Sequence, residues 1–457
     1  LDQATTSSLE SLKAFTLAGR TGGATDYVPL LRHAVELDPR FAVAYIKLAA
    51  EADGSGEAEL AAQYAQKAYD LRQFATERER FEIEADYDWF VLGDLERNLS
   101  VYTSWQELYP KDGAAWIDSA DARLIAGDYP RALHDGQRAL QLAPDVNTSY
   151  VNSGFALRAL NRGQEMKQLA TQARLHGMDV PDVQLLVYLA AFLEGDQSEM
   201  AAQLDPLLAK VGDGTFDALL TESNTEAYFG QLKQSLQSSE RSLKFVQDQP
   251  EIAGQVLGAA ALLQAEFGIN TEARRTVTRA LSTSTGRDVK LLAALALARA
   301  GDATKAKALA DELNTGFPHS SLLQKYWLPA IRASIELSRQ NPLKAVSLLQ
   351  STSYELGKAS SLAGNLYPAY VRGQAYLGAH QGKEATAEFQ KFLDYRGVAL
   401  NSPVAALARL GLARAYALQG DRERSVSAYK DLLNLWKDAD RDIPVLKQAK
   451  GEYARLQ

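Results

Sequence analysis

The sequence contains no cysteine, three methionines and five histidines in 457 residues. Without thiols there is no disulfide, no thiolate metal site and no cysteine nucleophile, and the redox compartment is left open. The histidines, at 33, 134, 176, 319 and 380, are scattered and none belongs to an HExxH pair, so neither a metal site nor a cofactor is expected. The patterns GxxxxGK[ST], GxGxxG and GxSxG are absent, as are the glycine-rich loop, HRD and DFG of protein kinases. The longest apolar run, LLAALALA at 291–298 between Lys290 and Arg299, is far shorter than a membrane span. Basic charge is not in excess either. A formal net charge of −8 lacks the balance of a large nucleic-acid surface. No signal peptide opens the chain and its first residue is Leu, so a fragment or a processed product is expected.

What is present is alanine and leucine with few breakers: 46% of residues are hydrophobic and 14 are proline. Helix is favoured nearly throughout, in a chain of ordered composition. Residues 127–144, GDYPRALHDGQRALQLAP, set the pattern. A Gly-Asp turn is followed by small residues at 132, 136 and 139, which let neighbouring helices approach closely, and Pro144 stops the helix. Counting back from Pro144 over the tetratricopeptide period of about 34 residues places Trp116 and Ala120 on a first helix. Pro110 then ends the preceding unit.

The pattern recurs in YVPLLRHAVELDP (27–39), LLAALALARAGDATKAKALADELNTGFP (291–318) and LARLGLARAYALQGDRERSVSAYKDLL (407–433). Two units, at about 181–210 and 216–243, are degenerate. The sequence predicts an all-α fold, a right-handed α-solenoid of about twelve tetratricopeptide-like helix pairs. It spans 1–457 as one superhelix, regular over 1–178, degenerate over 179–250 and tetratricopeptide-like again over 251–443, with a capping helix over 444–457. Ser7 with Glu10, and Thr76 with Glu79, read as capping boxes. The stretch STSYELGKASSLAGNL at 351–366 reads as an excursion from the solenoid.

A solenoid offers a concave surface lined by its first helices. The repeat register turns Ile83, Tyr87 and Phe90 inward in the third unit. It does the same for Ile117, Asp118, Asp121 and Leu124 in the fourth, and for Val151, Asn152, Phe155 and Arg158 in the fifth. Aromatics beside fixed polar groups suit an extended peptide or a partner helix. The alternative is that Tyr87, Phe90 and Phe155 only pack between repeats. A second feature is ERERFEIEADYDW, where Glu82, Glu84, Asp86 and Asp88 precede Trp89. It can receive a basic segment, or form a solvated face balanced by Arg78 and Arg80. Basic stretches such as EARRTVTR are interrupted by acids, so no nucleic-acid partner is expected.

Five blocks carry a more specific resemblance: ATTSSLESLKAFTLAGR (4–20), GRDVKLLAALALARAGDA (286–303), YWLPAIRASIEL (326–337), LYPAYVRGQAYL (366–377) and LWKDADRDIPVLKQAKGEYARLQ (435–457). Over essentially its whole length the chain resembles the C-terminal tetratricopeptide-repeat region of large acidobacterial-type signalling proteins. That resemblance implies a regulatory or sensory module downstream of an effector. The effector is commonly a Ser/Thr protein kinase followed by a membrane span, sometimes a winged-helix DNA-binding domain; no kinase activity falls in these residues. The kinase-then-span order would put this half outside the cytoplasm. Better-known tetratricopeptide proteins grip chaperone C-termini with a Lys/Asn/Arg carboxylate clamp. Lys47 and Asn152 hold clamp-like positions here, but in non-adjacent units, so the clamp is incomplete.

The expected function is a protein–protein interaction scaffold, the regulatory region of a larger bacterial signalling protein, without enzyme activity of its own. One alternative is a freestanding adaptor or assembly factor. Another is an all-α toroid hydrolase, which requires a convergent carboxylate pair with substrate-stacking aromatics. Partner identity and oligomeric state are not legible, because solenoid surfaces vary without disturbing the inter-repeat core.

Overall fold

The structure, a computed structural model, describes residues 5–21, 26–178, 180–209, 212, 214–358 and 362–457. Among the described residues there are 26 α-helices and no strand. The helices form twelve consecutive pairs, and the Pro444–Leu456 helix packs on the last of them. First helices start about 33–37 residues apart, as from Gly113 to Asn147 to Pro181, except across the 351–366 excursion.

The two helices of a pair are buried differently, and composition says why. The first helix Arg287–Arg299 is sandwiched between neighbours and buries Val289 and every residue from Leu291 to Ala298. Its partner Ala303–Gly316 buries Ala306, Ala310 and Leu313, a single stripe at helical spacing. Small residues sit where helices come closest. A Cβ on Gly136 would lie 2.4 Å from the Ser153 hydroxyl, and the Phe389 ring fills the space that side chains at Gly373 and Gly411 would need.

The Gly-Asp turn has a two-part cause. Gly127 ends a first helix in the left-handed region at φ 81°, where a side chain is strained. Asp128 then caps the second helix by accepting from the Arg131 amide. Asp94, Asp302 and Asp421 repeat the cap after Gly93, Gly301 and Gly420. Thr76 and Glu79 form the expected capping box. At the first helix, Leu9–Thr21, the cap is Ser8 rather than Ser7: the Ser8 hydroxyl accepts from the Ser11 amide at 3.1 Å.

Repeats far apart in sequence also meet. Leu95 N–H donates to the Ser321 hydroxyl, Tyr129 to the Leu356 carbonyl, Gly397 N–H to Asn161 and Lys358 to Asp121, at sequence separations of 226, 227, 236 and 237. That offset is about seven repeats. The superhelix completes one turn and lays a second on it in the same direction. Turns that join the two helices of first-turn pairs abut turns between second-turn pairs. Trp436 closes the far end of this seam, donating its indole N–H to the Tyr228 carbonyl at 2.9 Å.

The second turn is bridged across its interior. Glu266 accepts from Arg299 at 2.7 and 3.0 Å, from the Tyr367 hydroxyl at 2.6 Å and from the Tyr370 hydroxyl at 3.0 Å. Both oxygens of this buried carboxylate are thereby satisfied, with three different first helices meeting at the bridge.

Candidate functional site

Four first-turn helices converge on a cleft of about 330 Å³. Ala42–Gly54 contributes Lys47 and Asp53, Glu77–Asp86 contributes Glu82 and Asp86, Leu95–Leu108 contributes Asn98 and Tyr102, and Gly113–Ala126 contributes Asp118 and Asp121. Spacings of three or four residues put each of the pairs Glu82–Asp86 and Asp118–Asp121 on one helix face. Trp89 and Phe90 complete the wall.

The charges in this cleft are unequal. Lys47 donates to Glu82, and Arg78 reaches the same carboxylate at 3.3 Å while holding Asp112 at 2.6 and 3.1 Å. Lys358 meets Asp121 at 3.1 Å. Asp53, Asp86 and Asp118 have no ion-pair partner among the described residues. Burial pushes the Asp118 carboxyl up to about 7, and the Glu82 charge adds to it. The same two causes drive Asp86 well above the carboxylate range. Burial also raises Asp53, against the pull of Arg287. Glu82 is equally buried, yet the Lys47 ammonium holds it low. The cleft therefore has anions whose ionisation is opposed for want of a cation. Among the described residues no group of three or more His, Asp or Glu side chains is arranged to hold a metal ion.

Next to the cleft, and sharing Asp53, Trp89 and Phe90 with it, lies a pocket of about 50 Å³. Its far wall comes from the second turn: Leu291, Leu322, Leu323 and Trp327, with Arg287 and Asp288 at the edge. Two π-helical segments face each other here, Tyr87–Leu92 and Leu323–Trp327. The extra residue in a π-turn rotates the side chains beyond it, and such turns concentrate at functional sites. The two segments are joined at their ends by Ser321 N–H donating to the Gly93 carbonyl at 2.7 Å. A Cβ on Gly93 would lie 2.8 Å from the Ser320 backbone.

The pair period and the packing are those of a tetratricopeptide-type repeat scaffold. No protein-family model matches the chain. Among curated proteins, "Protein SGT1 homolog" of Oryza sativa subsp. japonica is 31% identical over 78 residues, 17% of this chain and 21% of that protein. The aligned stretch thus spans about a fifth of that relative's length. Among solved structures, yeast Tom70 aligns over 92% of this chain and 96% of its own, with 14% identity and a TM-score of 0.35. A human IFIT1 dimer with m7Gppp-AAAA aligns over 93% and 94%, with 13% identity and a TM-score of 0.40.

Within the scaffold, the residues singled out from the sequence separate. Phe90, Asp118 and Asp121 line the cleft. Ile83 is fully buried in the core and has no surface to present. Tyr87 stacks on Tyr69 with ring centroids 3.9 Å apart, a contact to the preceding pair. Asn152 is buried and donates to the Ile117 carbonyl at 3.1 Å, while Lys47 is held by Glu82, so neither is available to a carboxylate clamp. Phe155 lies between two cations, with Arg158 4.8 Å and Lys358 5.2 Å from its ring centre. Arg158 itself has no ion pair among the described residues, and its Nε is buried without a partner. Of the acidic helix, Glu82 and Asp86 turn into the cleft, whereas Asp88 turns away to Arg97 at 3.1 Å. Asp53, Asn98 and Tyr102 were not legible as site residues. Their only sequence signal is helical spacing shared with ordinary core positions.

Proposed function

We propose that the chain is a protein-binding scaffold whose first-turn cleft receives a cationic side chain, arginine or lysine, from a partner segment. The apolar residue beside it enters the pocket between the π-turns. The observation that carries this reading is the excess of carboxylates: Asp53, Asp86 and Asp118 stand without counter-ions beside Trp89 and Phe90. A guanidinium or ammonium there gains charge-assisted hydrogen bonds and a face of aromatic carbon.

The test uses a capped, dye-labelled peptide GLRLG and its uncharged twin GLQLG. GLRLG is expected to bind and GLQLG not. Asp86→Asn and Asp118→Asn should each weaken GLRLG about tenfold, with the helical signal and melting of the chain intact. Equal binding of the two peptides would remove the cleft as the site. The sign of the pH dependence comes from Asp118, whose carboxyl lies near 7 in the empty cleft. Its raised value means that the ionised form destabilises the empty chain, so stability conferred by the protonated form is lost as pH rises through about 7. A bound cation favours the ionised form. Affinity for GLRLG should therefore rise between roughly pH 6 and 8, and this dependence should flatten in Asp118→Asn.

We further propose that this scaffold is the regulatory or sensory region of a larger bacterial signalling protein, one whose catalytic or DNA-binding part is not in these residues. The five sequence blocks from 4–20 to 435–457 support that reading. The test is the mass of the native protein in its host, read with an antiserum on soluble and membrane fractions. A band far above 49.9 kDa in either fraction is expected, and a band near that mass would favour a freestanding adaptor.

A further inference from the structure

The 351–366 excursion does not hang free of the solenoid. Its first half is fixed to the second turn: Arg372 donates to the Leu349 carbonyl at 2.8 Å and to both Glu355 oxygens at 2.5 and 2.8 Å. From Tyr354 to Lys358 the chain crosses the seam and lies on the first turn. The Tyr354 hydroxyl donates to Glu96, and the Leu356 carbonyl accepts from Tyr129. Lys358 N–H donates to the Leu124 carbonyl at 2.9 Å, and its ammonium reaches Asp121 in the acidic cleft. Gly357 fits so closely that a Cβ would lie 2.0 Å from the Ile125 carbonyl oxygen. Tyr354 is held at φ 60°, a left-handed conformation that bulky residues avoid.

These contacts have the form of ligand recognition inside one chain. There is a terminal ammonium on a cleft carboxylate, a backbone N–H on a helix-end carbonyl, a glycine required by close approach, and a tyrosine on the rim. We propose that the rim formed by Glu96, Leu124, Ile125 and Tyr129 is a docking surface for an extended segment with a Gly-Lys step. Residues 354–358 are its resident occupant. A partner bringing its own Gly-Lys step takes the place of Lys358 at Asp121 and lifts the resident segment from the rim. This rests on the reading of the cleft as a cation receptor and adds the motif that the partner carries and the internal competitor that it must displace. A tethered competitor has a high effective concentration, so external segments bind the intact chain weakly until the resident is displaced.

The test uses the capped octapeptide STSYELGK, residues 351–358 of this chain, as the external probe. The full chain carrying Gly357→Ala, whose new Cβ expels the resident, is expected to bind the octapeptide at least about tenfold more tightly than the native chain. Adding Asp121→Asn should abolish that binding, and an octapeptide carrying G357A should bind neither chain. Equal binding to both chains, or none to a Gly357→Ala chain that still melts cooperatively, would overturn the proposal. If Gly357→Ala does not fold, hydrogen exchange on the native chain decides instead. Saturating octapeptide should deprotect the Lys358 amide, and unchanged protection would overturn displacement. GLRLG separates the two readings. If it binds while the octapeptide does not, the cleft stands and the resident-segment proposal falls. If the octapeptide binds Gly357→Ala and GLRLG binds nothing, the docking surface stands and the general cation receptor falls.

Discussion

Glu266→Gln is expected to lower the unfolding free energy by about 3–5 kcal/mol, measured by urea denaturation. The carboxylate lies in the bridge across the second turn with both oxygens satisfied, and its side chain is only 2% exposed. Removing its charge leaves the Arg299 guanidinium, itself 15% exposed, without its counter-ion beneath the tyrosines. Taking one partner from a buried pair costs far more than the pair contributes when intact, because the remaining charge stays desolvated. Tyr367→Phe and Tyr370→Phe each remove one donor and should cost about 1 kcal/mol. A loss under about 1 kcal/mol for Glu266→Gln would mean that the three helices do not meet across the interior.

The second large effect is expected from Trp436→Ala, again about 3–5 kcal/mol. This indole is 2% exposed, packs on Phe267 with ring centres 5.3 Å apart, and fits against Gly230, where a Cβ would come within 3.0 Å of the ring. Truncation opens a cavity and strands the Tyr228 carbonyl as well. Because Tyr228 belongs to the first turn and Trp436 to the second, the variant should also become sensitive to proteolysis around residue 230. Native resistance there, with a small stability loss, would mean that the two turns do not support each other.

Much of this fold is written locally. A first helix of near-continuous alanine and leucine, a Gly-Asp turn and a second helix with one apolar stripe each depend on neighbours within a few residues. They were therefore readable down to the Thr76–Glu79 cap and the 351–366 excursion. The seam was not readable. Its contacts join residues more than 200 positions apart, and no periodicity marks them. Gly93 and Gly357 look like turn glycines, and their second role, admitting a backbone from the next turn, is visible only in three dimensions.

The site was legible in part for the same reason. Regular helical spacing places Asp118 and Asp121 on one face, and both line the cleft. It also points Ile83, Tyr87 and Phe90 the same way, but the π-turn at Tyr87–Leu92 inserts a residue and re-aims the side chains beyond it. Ile83 goes to the core, Tyr87 to Tyr69 and Phe90 to the cleft. Asp53 gave no signal, because its neighbours Asp86 and Asp118 come from two other helix pairs.

An open solenoid tolerates changes in copy number, since each unit answers only to the units beside it. The stacked turns remove that freedom. Deleting one unit of about 34 residues between Gly93 and Ser320 would bring the wrong edge opposite every turn, separating Asn161 from Gly397 and Tyr228 from Trp436 at a stroke. Duplicating a unit would do the same. Relatives that share this seam should therefore vary in surface residues and loop length while keeping the number of units between the two turns fixed.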